Sequence, residues 1–241
     1  MKNTSQTTCF QQGVLFDIIE PVEKKSRGQQ LCKELLEKKK HTLNLQWHND
    51  FQTTGVEGFP MLEPFVDELP TFFIPFSERN KKLYNCGVHC FLYDYMIDRT
   101  WNAPPRVVPS LKQYRCVVAP DFSIFTDMPR AVNVWNIYRN RWVSSYWQSQ
   151  GIKVIPSASW GSVDSFEYCF DGLPENSVIA IGHSTAGKDK SFKRLYRMGV
   201  ETLIEKKRPT KLMVYGSPLD FNVNTDIVYQ EGFVVKKLRR L

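Results

Sequence analysis

From residue 115 onward the hydrophobic positions fall into short continuous runs separated by stretches of helical period. Arg115-Cys-Val-Val-Ala119 reads as a buried strand that ends at Pro120-Asp121-Phe122-Ser123. Ala131 to Gln150 is predicted as a helix, with Gly151 at the position after its end, where a left-handed residue is favoured. Ile152-Lys-Val-Ile155 is the next strand, followed by Pro156-Ser-Ala-Ser-Trp-Gly161, and Ser177-Val-Ile-Ala-Ile181 is another. A helix is predicted from Ser191 to Lys207, stopped before Pro209, and Lys211-Leu-Met-Val-Tyr215 forms a strand that ends at Gly216.

The first third is less regular. Leu31, Leu35, Leu36 and Leu43 stand at near-helical spacing along the charged segment Glu23 to His41, which predicts an amphipathic helix. Gly55–Pro64 reads as a loop, and Thr71–Phe76 and Val88–Tyr93 as strands. Asn102–Pro109, with three prolines, interrupts the chain before a helical segment at Ser110–Tyr114.

Strands that are apolar throughout, alternating with helices, predict an α/β protein with a mainly parallel sheet, open or barrel-like. Helices are expected on both faces, behind an irregular N-terminal third. The 241 residues are expected to form a single α/β domain, with residues 1–70 an N-terminal extension packed on or preceding the core. In such sheets ligands bind at the carboxyl ends of the strands. That rule gathers Asp121, Ser157, Ser159, Trp160, His183, Ser184 and Ser217 onto one rim.

Several blocks in one order carry a resemblance. They are Val88-His-Cys-Phe-Leu-Tyr-Asp94, Trp101-Asn102 before Pro104, Pro120-Asp-Phe-Ser123, Tyr138-Arg-Asn-Arg-Trp142, Val154-Ile-Pro-Ser-Ala-Ser-Trp160, Ser165-Phe-Glu-Tyr-Cys-Phe-Asp-Gly172 and Val214-Tyr-Gly216. Together they resemble the family called domain of unknown function 4417, over a little more than half the chain. The resemblance implies a phage or mobile-element context and no particular reaction. It directs attention to Asp121, Trp160 and the strand-end loops.

Charge changes the picture in the second half. Residues 1–110 are balanced, whereas residues 111–241 carry the whole excess of +7. Lys188 to Lys211 contains nine basic and three acidic residues, and the tail from Gly232 to Leu241 adds four basic ones. Such a concentrated positive field attracts polyanions. No run approaches the roughly 20 apolar residues of a membrane span, and the polar start, Met1 to Gly13, lacks a signal core, so a cytoplasmic protein is expected. The six irregularly spaced cysteines are expected to be free thiols.

Gly182-His-Ser-Thr-Ala-Gly187-Lys188-Asp189 matches a phosphate-cradling loop at both glycines and the lysine, but Asp189 stands where a magnesium-binding hydroxyl belongs. Nucleotide hydrolysis is therefore not the expected chemistry. Lys188, Lys190, Lys193, Arg194 and Arg197 crowd the start of the following helix, where cations oppose the helix dipole and a bound phosphate would relieve them. A solvated basic face explains the same residues. Phe192, Leu195, Tyr196, Val200, Leu203 and Ile204 form the opposite, core-facing stripe. Trp135, Tyr138, Trp142 and Tyr146 read first as core; Trp142 and Trp160 are the alternatives for stacking unpaired bases. Arg139 and Arg141 beside them suit phosphate contacts or surface ion pairs. Cys86, His89 and Cys90 lack a fourth ligand, and His89 and Cys90 point to opposite faces of a strand, so no metal or other cofactor is expected. Asp121 is the leading acid–base residue, with His183 as its expected partner; a capping role is the alternative.

Three functions follow. The first is non-specific nucleic-acid binding through the basic helix and tail. The second is an enzyme acting on a small or phosphorylated substrate at the rim around Asp121 and His183. The third is binding of a host protein through an exposed aromatic patch.

Overall fold

The computed structural model describes residues 51–81, 83–183 and 189–231. The helix expected over Glu23–His41, Cys9 and Cys32, Lys188 and the basic tail lie outside the described residues.

The protein is an α/β fold of parallel strands flanked by helices. A small antiparallel hairpin, β1 (Thr53–Thr54) with β2 (Phe59–Pro60), precedes them. The strands β3 (Phe73–Pro75), β4 (Gly87–His89), β5 (Cys116–Val118) and β6 (Val154–Ile155) pair in parallel in that order. A second parallel sheet follows, with β7 (Ser157–Ala158), β8 (Val178–His183), β9 (Lys211–Gly216) and β10 (Ile227–Gln230). The two sheets meet at Pro156. Before it the chain pairs with β5, and after it with β8; the Pro156 carbonyl accepts from the Ala180 amide at 2.8 Å. A proline has no amide to give, so the partner can change here without orphaning a donor.

Strands adjacent in sequence are thus adjacent in space, the order of a barrel-like sheet. Side-chain alternation divides them into two sets. Val117 and Ala119 pack with the helices, as do Ile179, Ile181, Leu212 and Val214. Phe73, Cys116, Val118, Ile155, Val178, Ala180 and Met213 point the other way and meet one another in an interior cluster with Phe65 and no helical residue. Phe65 closes the amino end of this interior, held by its amide on the Ser177 hydroxyl at 2.9 Å. Residues 51–65 therefore contribute to the core, with Phe59 and Leu62 buried as well.

The helices are α1 (Asp94–Asn102), α2 (Pro104–Leu111), α3 (Arg130–Ser149) and α4 (Lys190–Lys207). Both long helices lie where their period predicts, and Gly151 after α3 has φ of 79°. The prolines of 102–109 interrupt less than expected. Pro104 and Pro105 open α2, where a missing amide costs nothing, and the break between helices is confined to Ala103. Helix α1 and strand β10 have no counterpart in the sequence reading. Each is short, and α1 has only Ile97, Thr100 and Trp101 fully buried, too few to set a clear period. No helix among the described residues is long and apolar enough to cross a membrane.

Candidate active site

The mouth at the carboxyl ends of the strands is built mainly from residues of the inward-facing set. On β4, Gly87 lies against Phe73, and His89 and Phe91 continue that face. On β9, Tyr215 continues the face of Met213. Its ring stacks on Phe91 at 4.9 Å and meets His89 at 4.3 Å, so three aromatic rings gather on this side of the mouth. Gly182 lies on the inward face of β8, in line with Ala180. A β-carbon there would lie 3.3 Å from Phe91, a tight approach, and 3.8 Å from Oδ2 of Asp121, so Gly182 brings the backbone close to both groups and leaves room for the Phe91 ring.

Asp121 follows β5 and enters this mouth. The residue as a whole is only partly covered, but its Oδ1 is buried and meets no hydrogen-bond partner in the protein. Burial pushes the carboxyl up to about 7. A hydrogen bond from Ser159 at the end of β7 opposes the shift, and the negative charge of Asp94 adds to it. Asp94 is itself engaged, accepting from the Ser123 amide at 3.1 Å and hydroxyl at 2.8 Å, which pins the segment after Asp121. A carboxyl that exchanges its proton near neutrality can serve as acid and base in one cycle. The capping alternative for Asp121 has no bond to support it, whereas Asp94 does hold a turn in that way.

No hydrogen bond joins His183 to Asp121 among the described residues. The histidine ends the outward-facing row Ile179, Ile181, His183 and is 7% exposed. Its ring stacks on Tyr196 of α4 at 4.7 Å, and Nδ1 lies 2.8 Å from the Ser217 carbonyl. That carbonyl requires Nδ1 to be the protonated nitrogen. Tyr196 also donates to the Gly182 carbonyl at 2.8 Å, so the His183–Tyr196 pair braces the back of the mouth from the helix side. The groups that act on Asp121 are Ser159 and Asp94, and its charge in turn reaches Cys90 and Tyr196. Period two from Val88 and from Leu212 places His89, Phe91 and Tyr215 on one face each; that these faces converge depends on the strand order.

Other expected site residues are packed against neighbouring elements. Trp142 is 4% exposed and lies among Trp101, Phe51 and Tyr146, so no face is open to a base. Trp160 packs flat on α4 at Gly199, where a β-carbon would fall 2.1 Å from the indole, with Tyr196 and Phe170 on its other sides. Arg141 makes neither a phosphate contact nor a surface pair. It is fully buried, donating to the carbonyls of Asp171 (2.8 Å), Cys169 (2.7 Å) and Ser157 (3.2 Å) and to Asn140 Oδ1 (2.5 Å). Arg139 instead pairs with Asp98 at 3.4 Å.

On α4, Lys190, Lys193, Arg194 and Arg197 are exposed as predicted. Two of them are engaged: Lys193 with Asp220 at 2.9 Å, and Arg197 with Glu201 at 2.8 Å. The helix start is also occupied. Asp189 is the N-cap and accepts from the Phe192 amide at 2.8 Å. The carboxylate that spoils the phosphate-loop pattern thus supplies the anion which the helix dipole calls for. The loop residues 184–188 lie outside the described residues. Among those described, no group of three or more His, Cys, Asp or Glu side chains is arranged to hold a metal ion, and Cys86, Cys90, Cys116 and Cys169 are buried free thiols.

The profile of the family described as "Domain of unknown function (DUF4417)" matches residues 51–231. The chain belongs to the DUF4417 family. Two phage proteins are similar to this DUF4417 chain. One is "Gene 1 protein" of Mycobacterium phage D29, 43% identical over 130 residues, covering 54% of this chain and 48% of that protein. The other is "Gene 1 protein" of Mycobacterium phage L5, 38% identical over 170 residues, covering 69% of this chain and 74% of that protein. The chain thus spans about half the length of the first and three quarters of the second. No solved structure matches the DUF4417 chain. These relatives place it among proteins of phage and mobile-element origin.

Proposed function

We propose that this DUF4417 protein is an acid–base enzyme acting on a small, phosphorylated substrate at the mouth of the barrel-like sheet. The observation that carries this reading is the Asp121 carboxyl, placed where parallel strands end, with one buried oxygen lacking any partner in the protein. An unpartnered buried acceptor costs free energy and is accounted for when a substrate group meets it. Asp121 takes or returns the proton, Ser159 orients its carboxyl, and Phe91 and Tyr215 give the reacting atom an apolar wall that keeps the carboxyl weakly acidic. Lys190 and Arg194, which start α4 and have no acidic partner among the described residues, supply the positive charge for a phosphate.

The test is a thermal-shift screen of the full chain against phosphorylated and unphosphorylated small molecules, followed by turnover of the stabilising compounds. Asp121→Asn should keep the fold and abolish turnover, whereas Lys190→Gln with Arg194→Gln should raise KM. Equal turnover by the Asp121→Asn protein would remove the assignment.

A second reading keeps those two cations for a nucleic-acid backbone. It draws on the same unpaired Lys190 and Arg194, but the pairing of Lys193 and Arg197 leaves it fewer contacts. Binding of duplex DNA that weakens steeply with salt and loses slope in the double variant would favour it.

A further inference from the structure

Where β4 leaves the sheet, the chain turns into α1 through Tyr93-Asp94-Tyr95. Tyr93 is 74% exposed and Tyr95 75% exposed. Their rings lie parallel within 9°, with centroids 5.9 Å apart. Neither ring is accounted for by stability. Tyr93 occupies the N-cap of α1 and makes no capping hydrogen bond there, a position at which Ser, Thr, Asp or Asn would satisfy a free amide. Rings this exposed gain little from burial.

The charges around them are uneven in a useful way. The two acids of α1 are engaged: Asp94 accepts from Ser123, and Asp98, half exposed, pairs with Arg139. Arg99, one turn beyond Tyr95 on the same side of the helix, is exposed and forms no ion pair among the described residues. Arg79 is near enough for the two positive charges to repel; burial first, and then Arg99, lowers its proton affinity. The surface therefore offers two open aromatic faces beside uncompensated positive charge. An aliphatic protein partner would need a broader apolar patch without hydroxyls or cations. A duplex has its base faces covered and would leave the tyrosines unused. Unpaired bases with their phosphates match both features, because every base has a face to stack and each brings a negative charge.

We propose that Tyr93, Tyr95 and Arg99 form a binding surface for single-stranded nucleic acid on the rim of the sheet. Bases stack on the two tyrosines, and Arg99 meets the adjoining phosphate. Binding at this surface does not depend on the chemistry of the Asp121 carboxyl.

The experiment is a fluorescence-anisotropy titration of the full chain with a labelled oligothymidylate, an oligouridylate and a duplex, each of about twelve residues or pairs. Both single strands should bind more tightly than the duplex, and their ratio tells DNA from RNA as the better ligand. Tyr93→Ala and Tyr95→Ala should each weaken binding by about tenfold, the range expected for one lost base stack. Tyr93→Phe and Tyr95→Phe keep the rings and should bind as the parent does. Arg99→Gln should flatten the salt dependence by about 0.7 in logarithmic slope, the value for one phosphate on a single strand. Asp121→Asn should bind normally, so failure of the catalytic reading leaves this one standing. The proposal is overturned if the duplex binds as well as the single strands. It is overturned equally if an abasic strand binds as well as oligothymidylate, or if the double alanine variant binds like the parent.

Discussion

Helices α3 and α4 are of similar length and both pack on the outer side of the sheets, yet they use their polar residues in opposite ways. Helix α3 buries ten residues, among them Asn133, Asn136, Asn140 and Arg141, and each of these four donates a side-chain hydrogen bond to a neighbouring segment. Asn140 reaches the Pro120 carbonyl and, at 2.8 Å, the Ser157 hydroxyl, so α3 holds the ends of β5 and β7 together just below Asp121. Helix α4 buries only Tyr196, Gly199, Val200 and Leu203 and sends its charges to solvent. Residue type is no guide to which polar groups matter: Arg141 and Arg194 differ entirely in partner and burial. Buried polar groups carry large penalties when a partner is removed, whereas exposed ions are held by water whether or not a partner is present.

The largest break in this comparison is Arg141→Met. It leaves the Asp171 and Cys169 carbonyls without their donor and should destabilise the protein by about 3 kcal/mol or more in urea unfolding. Arg141→Lys should recover little, because an ammonium cannot reproduce the planar fork. Arg194→Met on α4 should change stability by less than about 0.5 kcal/mol. Equal effects at the two arginines would erase the distinction.

Asp121→Asn comes next, and its effect depends on pH. The native carboxyl holds its proton up to about 7, while the unfolded one releases it near the ordinary value of about 4. Between these values the native state binds more protons, so raising the pH costs stability, and the loss is complete above about 7. By pH 8 the parent should have lost about 2 kcal/mol or more relative to pH 4, and Asp121→Asn should flatten the curve. A parent protein with equal stability at pH 5 and pH 8 would mean that Asp121 is not held in this state.

Smaller still is Asp189→Ala, which uncaps α4. It should lower the melting temperature slightly and increase hydrogen exchange at the Phe192 amide, the group that loses its acceptor. At the bottom of the scale, Lys193→Gln with Arg197→Gln should leave the melting temperature unchanged, since both ion pairs are half exposed.

Much of this protein is determined by its sequence alone. The α/β class, the parallel strands and both long helices follow from local pattern, because a buried strand and an amphipathic helix each impose a period on their own residues. Asp121 at a strand end and the outward basic face of α4 are legible for the same reason. What the sequence leaves open concerns contacts between residues far apart. The period-two rows place His183 on one face of β8 and Gly182 on the other, but only the packing of Tyr196 shows which face looks into the mouth. Arg141 and Trp142 occupy one helix with the residues of a solvent face; β7 and the 169–171 turn close over Arg141, while Phe51 and Trp101 cover Trp142. Barrel-like or open, paired or unpaired, capped or catalytic: each depends on which distant group arrives beside a side chain. That is a matter of strand order and burial, for which one chain's local periodicity carries no term.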